Sequence, residues 1–201
     1  MNRTGVTLVE LIIVLAIIGI VALFVTMDVS WFMRDTRVAE SRDRLLADIE
    51  DVKLKSLAQV PHAIVIVSAT SYKMVKLNDR GRCSTTTTTA CFQDSDCPGG
   101  ETCDLSYRNF KKDSGETTSD IANSSVTLST NVKISGPAGN ELWFDRKGIP
   151  KSSSWLLGNT TFTIWYDTNG NGAFTGSTDD DNEPRKTIII SNGGRIQYEK
   201  R

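Results

Sequence analysis

The feature that most limits the possible folds is a long N-terminal stretch with almost nothing to interrupt a helix. The first proline is Pro61, and Gly19 is the only glycine between positions 6 and 59. Because proline and glycine are the residues that most disfavour a helix interior, the sequence predicts one continuous helix of about 80 Å. Its first half, 6–26, is almost entirely apolar, and its second half, 27–60, is amphipathic.

The apolar half is long enough to cross a membrane. About 20 residues just span a hydrocarbon core of roughly 30 Å. Arg3 and the initiator amine precede the segment, so we expect a single pass through a membrane with a cytoplasmic N-terminus and the rest of the chain outside.

The acidic residue Glu10 separates three interpretations of this segment. A cleaved secretory signal peptide would need a small-x-small cleavage site, and none follows Val25. A plain signal anchor has no use for a carboxylate, which costs up to about 2.5–3.5 kcal/mol at the centre of a bilayer and less near its edge. The third interpretation is a segment that needs the acid for assembly.

The run "MNRTG" followed by "VTLVELIIVLAIIGI" resembles the class III signal of type IV pilins and type II secretion pseudopilins. The resemblance implies that prepilin peptidase removes the leader 1–5 by cutting between Gly5 and Val6, and that Val6 is then N-methylated. It also implies assembly through Glu10, whose carboxylate would pair with the amine of a neighbouring subunit. The first mature residue of the family is usually Phe, and here it is Val6.

Beyond Pro61 the sequence predicts an extracytoplasmic β-rich domain over 61–201. Short β-branched and aromatic runs alternate with polar turn residues. One N-terminal helix followed by seven or eight strands predicts an α+β fold, in which antiparallel sheets or a β-sandwich pack on the helix. The apolar stripe that faces them contains Val38, Leu45, Ile49, Val52 and, at its end, Leu57. The predicted strands are AIVIVSA, YKMVKL, SVTLSTNVKI, ELWFD, TFTIWYD, RKTIIIS and RIQYE.

The C-terminal runs "LWFDRKGIPKS" and "TIIISNGGRIQ" resemble the GspH/FimT group of minor pilins and pseudopilins. That resemblance implies a filament subunit acting near the tip, in initiation or in contact with secreted cargo. Its partners would be prepilin peptidase, other pilins or pseudopilins and the inner-membrane assembly platform. Two alternatives stay open: a competence-type minor pilin that binds DNA, and a simple membrane-anchored periplasmic binding module.

An insertion at about 79–120 contains all four cysteines of the chain, Cys83, Cys91, Cys97 and Cys103. In an extracytoplasmic setting an even number of cysteines indicates two disulfides, although the sequence does not choose among the three pairings. A zinc site is the alternative, but the C-x₂-C spacing typical of zinc knuckles is absent.

A second candidate site lies in "DTNGNGAFTGSTDDDNEPR", which begins like a calcium loop. Asp167, Asn169 and Asn171 offer oxygens at alternating positions, and Glu183 could loop back to complete the set. The flanking segments are predicted strands, so a helix-loop-helix calcium site is not expected. Calcium is the one cofactor that the sequence suggests.

The C-terminus offers three cations, Arg195, Lys200 and Arg201, as candidate DNA contacts. Competence-linked relatives are thought to use a Gly-Arg-x-Arg motif, but Gln197 replaces its second arginine here, and DNA is therefore not an expected partner. The formal net charge of −1 also argues against a basic nucleic-acid binder. Because no nucleophile, zinc-protease or phosphate-loop motif is present, we expect no enzyme activity.

Overall fold

A computed structural model describes residues 7–58, 60–78, 80–86, 89–108, 110–112, 116–170, 172 and 184–200. Its first element is helix α1, Leu8–Ala58. The helix contains 51 residues, which corresponds to a rod of about 75 Å. It ends just before Pro61, as expected because a proline disfavours helical conformation in the residue before it. The predicted continuous helix is therefore confirmed.

Thirteen strands follow among the described residues, and they include every run that the sequence predicted. They are β1 (His62–Ser68), β2 (Ser71–Asn78), β3 (Gly81–Cys83), β4 (Ala90–Cys91), β5 (Cys103–Asp104), β6 (Thr117–Asp120), β7 (Val126–Thr127), β8 (Val132–Ser135), β9 (Glu141–Phe144), β10 (Pro150–Lys151), β11 (Thr160–Tyr166), β12 (Arg185–Ile190) and β13 (Ile196–Lys200).

These strands form two main antiparallel sheets. The larger sheet has the order β10-β9-β1-β2-β6, with β7 also pairing with β2. The smaller main sheet has the order β13-β12-β11-β8. A long helix followed by antiparallel sheets is the predicted α+β fold.

The second half of α1 packs against the inner faces of both sheets. Val38, Leu45, Ile49 and Val52 are fully buried there. They join one continuous core with Ile64 and other side chains of the larger sheet and with Phe162 and its neighbours in the smaller one. The predicted stripe on the helix is confirmed from Val38 to Val52, whereas Leu57 at its end is 46% exposed. The buried part of the stripe brings the two sheets into one domain.

Gly136 marks a close approach between the two sheets. A Cβ atom at this position would overlap the Cδ1 atom of Ile66 in β1 and would lie 3.2 Å from the Phe162 ring in β11. A larger residue would therefore push β8 away from the core that both sheets share.

The cysteine-containing insertion is shorter than the sequence predicted. Residues 117–120 form β6, which pairs with β2 as part of the larger sheet, so the insertion covers 79–116. Within it, β4, β3 and β5 form a small separate sheet. We call this insertion the lobe.

Candidate assembly site at the start of the helix

The start of α1 is stabilised by a reciprocal pair of side chains, Thr7 and Glu10. The amide of Glu10 donates to Thr7 Oγ1 at 3.3 Å, while Glu10 Oε2 accepts from the Thr7 amide at 3.1 Å and from the Thr7 hydroxyl at 3.2 Å. This is the geometry of a capping box, in which two backbone N–H groups at the open end of a helix are satisfied by side chains. The carboxylate also complements the positive end of the helix dipole.

The pair lies on a helix that projects from the domain with all of its described side chains exposed. From Thr7 to Ala22 none is buried by the rest of the chain, and Glu10 is the only charged residue in that stretch. Gly5 and Val6, the predicted processing residues, lie outside the described part of the chain. Within the part that is described, no helix meets the length and hydropathy expected of a membrane span.

Polar contacts attach the second half of the helix to the domain at both of its ends. At the end near the projecting segment, Asp35 pairs with Lys186 of β12 at 2.8 Å. At the other end, Lys53 Nζ donates to the carbonyl oxygen of Gly194 at 2.8 Å. The hydroxyl of Ser56 accepts from the His62 amide at 3.0 Å.

Between these ends the Tyr72 hydroxyl donates to Asp48 Oδ2 at 2.6 Å. Burial, with the Asp48 carboxylate acting in the same direction, raises the pKa of Tyr72 well above its ordinary value of 10.0. The tyrosine therefore remains a proton donor to the helix at every physiological pH.

The four cysteines form two interlaced disulfides, Cys83–Cys97 and Cys91–Cys103. This confirms the predicted oxidation state and selects one of the three pairings. The sulfur atoms of Cys83, Cys91 and Cys97 lie within 4.8 Å of one another, but disulfide sulfurs are not the thiolates that zinc requires. The alternative of a zinc site was wrong for this oxidised form of the lobe.

Three acidic residues of the lobe stabilise its loops. The pKa of Asp96 is lowered first by the Phe92 amide, and that of Glu101 by the Thr86 hydroxyl. The hydroxyl of Ser106 has the same effect on the pKa of Asp104. Each carboxylate therefore stays ionised as a hydrogen-bond acceptor within the lobe.

The lobe is also tied to the outer face of the larger sheet. Lys112 Nζ lies 2.6 Å from Glu141 Oε2 and 5.2 Å from the centre of the Trp143 ring. The same carboxylate oxygen accepts from Trp143 Nε1 at 2.8 Å. Because these side chains are partly or fully buried, the contact is stronger than an exposed surface ion pair.

At the predicted calcium loop, the structure accounts for Asp167 without a cation. Its Oδ1 accepts from the Gly170 amide at 2.8 Å and its Oδ2 from the Gly172 amide at 3.0 Å. Lys133 Nζ lies 3.9 Å from the same carboxylate. Asn169 is exposed nearby, whereas Asn171 and Glu183 lie outside the described residues. This carboxylate closes a turn, and calcium binding gains no support.

The candidate DNA contacts are not assembled into a basic surface by the described residues. Arg195 follows Gly194 in the turn between β12 and β13, where it lines a shallow groove together with Glu50 and Lys53. The carboxylate in that groove would repel a phosphate. The side chain of Lys200 and the whole of Arg201 lie outside what the structure describes.

Comparison with protein families identifies the N-terminal segment. Residues 1–26 match the family model described as the prokaryotic N-terminal methylation motif. The chain therefore begins as a type IV pilin-like protein does. The predicted prepilin-type signal is confirmed, and together with the α+β architecture it supports a filament-subunit role.

Solved structures with a similar backbone fold include two minor filament proteins. The type IV minor pilin FimU of Pseudomonas aeruginosa is 13% identical, with a TM-score of 0.47; the match covers 82% of this chain and 90% of FimU. The minor pseudopilin EpsH of Vibrio cholerae is 8% identical, with a TM-score of 0.43; the match covers 81% of this chain and 96% of EpsH. No curated protein matches the sequence. The functional assignment rests on the motif and on the chain's own geometry.

The sequence prediction recognised Glu10 but missed the role of Thr7. The signal was present as T-x-x-E in "TLVE", which is the spacing of a capping box at the start of an apolar run.

Proposed function

We propose that this chain is a minor subunit of a type IV pilus or type II secretion filament, of the GspH/FimT kind. The observation that carries the proposal is the helix start. A single carboxylate, Glu10, lies on an exposed apolar helix within a methylation motif and is held by Thr7 of its own chain. Residues 6–26 would be the segment held in the membrane and then in the filament core, and 27–60 the segment that carries the domain.

Processing by prepilin peptidase would precede assembly. A cut between Gly5 and Val6 removes the leader 1–5. It leaves a cationic amine on Val6, which is next to the capping residue Thr7 in the sequence. N-methylation of Val6 keeps that positive charge. The apolar segment would anchor the subunit in the inner membrane with the domain 61–201 outside, as the charge of the leader favours.

The capping box lowers the cost of burying the Glu10 carboxylate in the free subunit and leaves that carboxylate able to pair with a neighbouring subunit in the filament. In the free subunit its carboxylate accepts two hydrogen bonds from Thr7, which reduces the cost of placing an acid beside hydrocarbon. In the filament the Val6 amine of a neighbouring subunit would supply a charged donor. In an apolar environment a carboxylate bonds more strongly to a cationic amine than to a neutral hydroxyl, so assembly would be favoured over the isolated subunit.

A position near the filament tip, in initiation or in contact with secreted cargo, is supported by the lobe. Its two disulfides and its contact with Glu141 give the domain a stiff extension beyond the two main sheets. A subunit repeated along a filament must accommodate neighbours on every side, whereas a terminal subunit leaves such an extension accessible. The inner-membrane assembly platform would be the remaining partner.

The decisive experiment measures the processing and the filament assembly of the Glu10→Gln variant in the organism's own membrane. Glutamine keeps the size and the hydrogen-bonding capacity of the side chain but removes its charge. We expect normal cleavage, seen as loss of 1–5 in the intact mass, together with a loss of incorporation into sheared filaments of at least about tenfold.

Glu40→Gln is the matched control, because Glu40 is an exposed carboxylate on the same helix but lies in the part attached to the domain. It should assemble as the wild type does. The proposal is wrong if the protein in its own membrane keeps residues 1–5, or if Glu10→Gln enters filaments as efficiently as Glu40→Gln.

A further inference from the structure

Strand β13 is the exposed edge of the smaller main sheet. It is last in the order β13-β12-β11-β8 and, among the described strands, pairs only with β12. Gln197 and Glu199 are exposed along it, and Tyr198 is 53% exposed. An edge of this kind presents backbone N–H and C=O groups that can pair with another chain.

The turn before β13 determines which backbone groups face outward. The amide of Ser191 donates to the carbonyl oxygen of Arg195 at 3.0 Å, and the amide of Gly194 donates to the carbonyl oxygen of Ser191 at 2.8 Å. With Gly194 at a φ of 76°, this is a β-bulge in which Gly194 and Arg195 together face Ser191. From there hydrogen-bonded and non-hydrogen-bonded pairs alternate along the ladder. The backbone N–H and C=O groups of Ile196 and Tyr198 therefore point away from β12.

Packing against the helix holds this turn in place. Lys53 Nζ donates to the carbonyl oxygen of Gly194 at 2.8 Å. A Cβ atom at Gly194 would lie 2.7 Å from the carbonyl oxygen of Gly148, so the two turns are in close contact. Because the edge is ordered before anything binds to it, an added strand would bind with a smaller loss of conformational entropy.

A groove lies between the helix and the start of β13. It has a volume of about 370 Å³ and is lined on the helix by Glu50 and Leu54. Leu54 is 64% exposed, and Arg42 of α1 lies over the Tyr198 ring, 5.2 Å from its centre. When a peptide adds to a sheet edge, its backbone bonds supply affinity and such grooves receive every second side chain. Apolar side chains therefore fit opposite Ile196 and Tyr198.

Charge determines which strand fits this edge. Arg195 and Glu199 are exposed near its two ends and have opposite charges. In an antiparallel pair, opposite charges on facing residues are stabilising and like charges are destabilising. The fitting strand has an acid opposite Arg195 and a base opposite Glu199. From its N-terminus to its C-terminus it reads basic, apolar, any residue, apolar, acidic.

We propose that the outer edge of β13 binds an extended segment of a partner protein with that pattern. The segment adds to the four-stranded smaller main sheet as an antiparallel fifth strand. Ile196 and Tyr198 each offer it one backbone donor and one backbone acceptor. The inference goes beyond the proposed function, because it assigns a surface of the domain and the chemistry of the partner that the surface recognises.

A second copy of the chain is the wrong occupant, although β13 itself, RIQYE at 195–199, has the fitting pattern. A two-fold axis that pairs two such edges antiparallel is perpendicular to the sheet. It would reverse the direction of α1, which packs against the inner face of the sheet, so the two anchoring segments would point in opposite directions. Subunits anchored in one membrane cannot meet in that way, and this step alone rests on the proposed function.

The test measures binding of a labelled peptide, GRIQYEK, to the full-length chain in detergent micelles by fluorescence anisotropy. The peptide copies 194–200 and therefore has the required pattern. In the antiparallel register its isoleucine and tyrosine amides face the edge of β13, whereas its glutamine amide faces away. N-methylation of the first two amides should weaken binding at least about tenfold. N-methylation of the glutamine amide is the matched control and should change binding by less than about twofold.

Exchanging the charge at one end of the edge tests the register. Arg195→Glu should weaken binding of GRIQYEK about fivefold. The peptide GRIQYRK, which places an arginine opposite position 195, should restore it.

The proposal is overturned if GRIQYEK does not bind, if the two kinds of N-methylation weaken binding equally, or if GRIQYRK gives no rescue. It is also overturned if the peptide dissociates a dimer of the chain, since a second copy would then be the occupant. Glu10→Gln should bind the peptide as the wild type does. A failure of filament assembly and a failure of strand addition are therefore distinguishable.

Discussion

At the scale of single residues, Thr7 and Glu10 satisfy two of the backbone donors at the start of a helix on an apolar segment. Replacing Thr7 by Val keeps the shape of the side chain and removes the hydroxyl that accepts from the Glu10 amide. We expect the first turn of α1 to be destabilised by about 1 kcal/mol. Amide exchange at Glu10 and Leu11 in detergent micelles should accelerate by roughly fivefold.

Thr7→Ser is the control for this substitution, because serine keeps the hydroxyl and should leave exchange close to that of the wild type. Equal protection of Glu10 in the Val and Ser variants would mean that the capping box contributes nothing to the helix start.

A second residue, His62, makes the stability of the domain depend on pH. Its side chain is only 3% exposed, and burial lowers its pKa from the ordinary 6.5. The unfolded chain therefore binds a proton more readily than the folded one, so stability is complete above pH 6.5 and declines as the pH falls below it. We expect the urea midpoint of the wild type to fall between about pH 7.5 and 5.5.

His62→Gln should remove most of that decline, because His62 is the only histidine of the chain. The lobe carboxylates with lowered pKa values lose their contribution only at more acidic pH, below their ordinary values of 3.8 and 4.5. An unchanged slope in the variant would place the acid sensitivity elsewhere.

At the scale of elements, patterns of apolar residues were sufficient to predict the helix and the main strands. The stripe from Val38 to Val52 has helical spacing and is buried as that spacing requires. The strands β1 and β11 can be predicted because each is a run of β-branched and aromatic residues with turn residues on either side.

The lobe shows where such patterns stop being informative. Nothing in the spacing of Cys83, Cys91, Cys97 and Cys103 selects a pairing, because the pairing depends on which short strands meet in three dimensions. Its contact with the sheet through Lys112 and Glu141 joins positions that are 29 apart in sequence. For the same reason β6 was assigned to the insertion: its polar sequence, TTSD, gains a sheet position only by pairing with β2.

Reduction of the disulfides should unfold the lobe and leave the main sheets intact. The bridges close loops with sequence separations of 14 and 12, and each contributes about 3 kcal/mol by restricting the unfolded chain. Among the described strands, β3, β4 and β5 pair with one another and with no strand of the main sheets. Hydrogen exchange measured by mass spectrometry should therefore increase in 81–104 after treatment with reductant.

The base of the lobe provides the internal control for this experiment. There β2 and β6 remain paired, with Asn78 Nδ2 donating to Thr117 Oγ1 at 3.4 Å and the Ser119 hydroxyl donating to Asn78 Oδ1 at 3.0 Å. Loss of protection in β1 or β9 on reduction would show that the lobe is part of the main cooperative unit.

At the scale of the whole molecule, the two main sheets are joined through the helix and should unfold as one unit. Leu45 is fully buried in a core that contains Ile64 of the larger sheet and Ile188 of the smaller one. Removing its side chain creates a cavity between them. We expect Leu45→Ala to lower the free energy of unfolding by about 2–5 kcal/mol.

The exposed Leu54 on the same helix is the matched control. It is 64% exposed, so Leu54→Ala should change the unfolding free energy by no more than about 0.5 kcal/mol. Amide exchange can follow β1 and β11 separately in each variant. Because both strands share the core around Leu45, they should lose protection by the same amount in Leu45→Ala, as cooperative unfolding requires. If only one sheet lost protection, the helix could not serve as the common support, and force applied along it during assembly would reach the two sheets unequally.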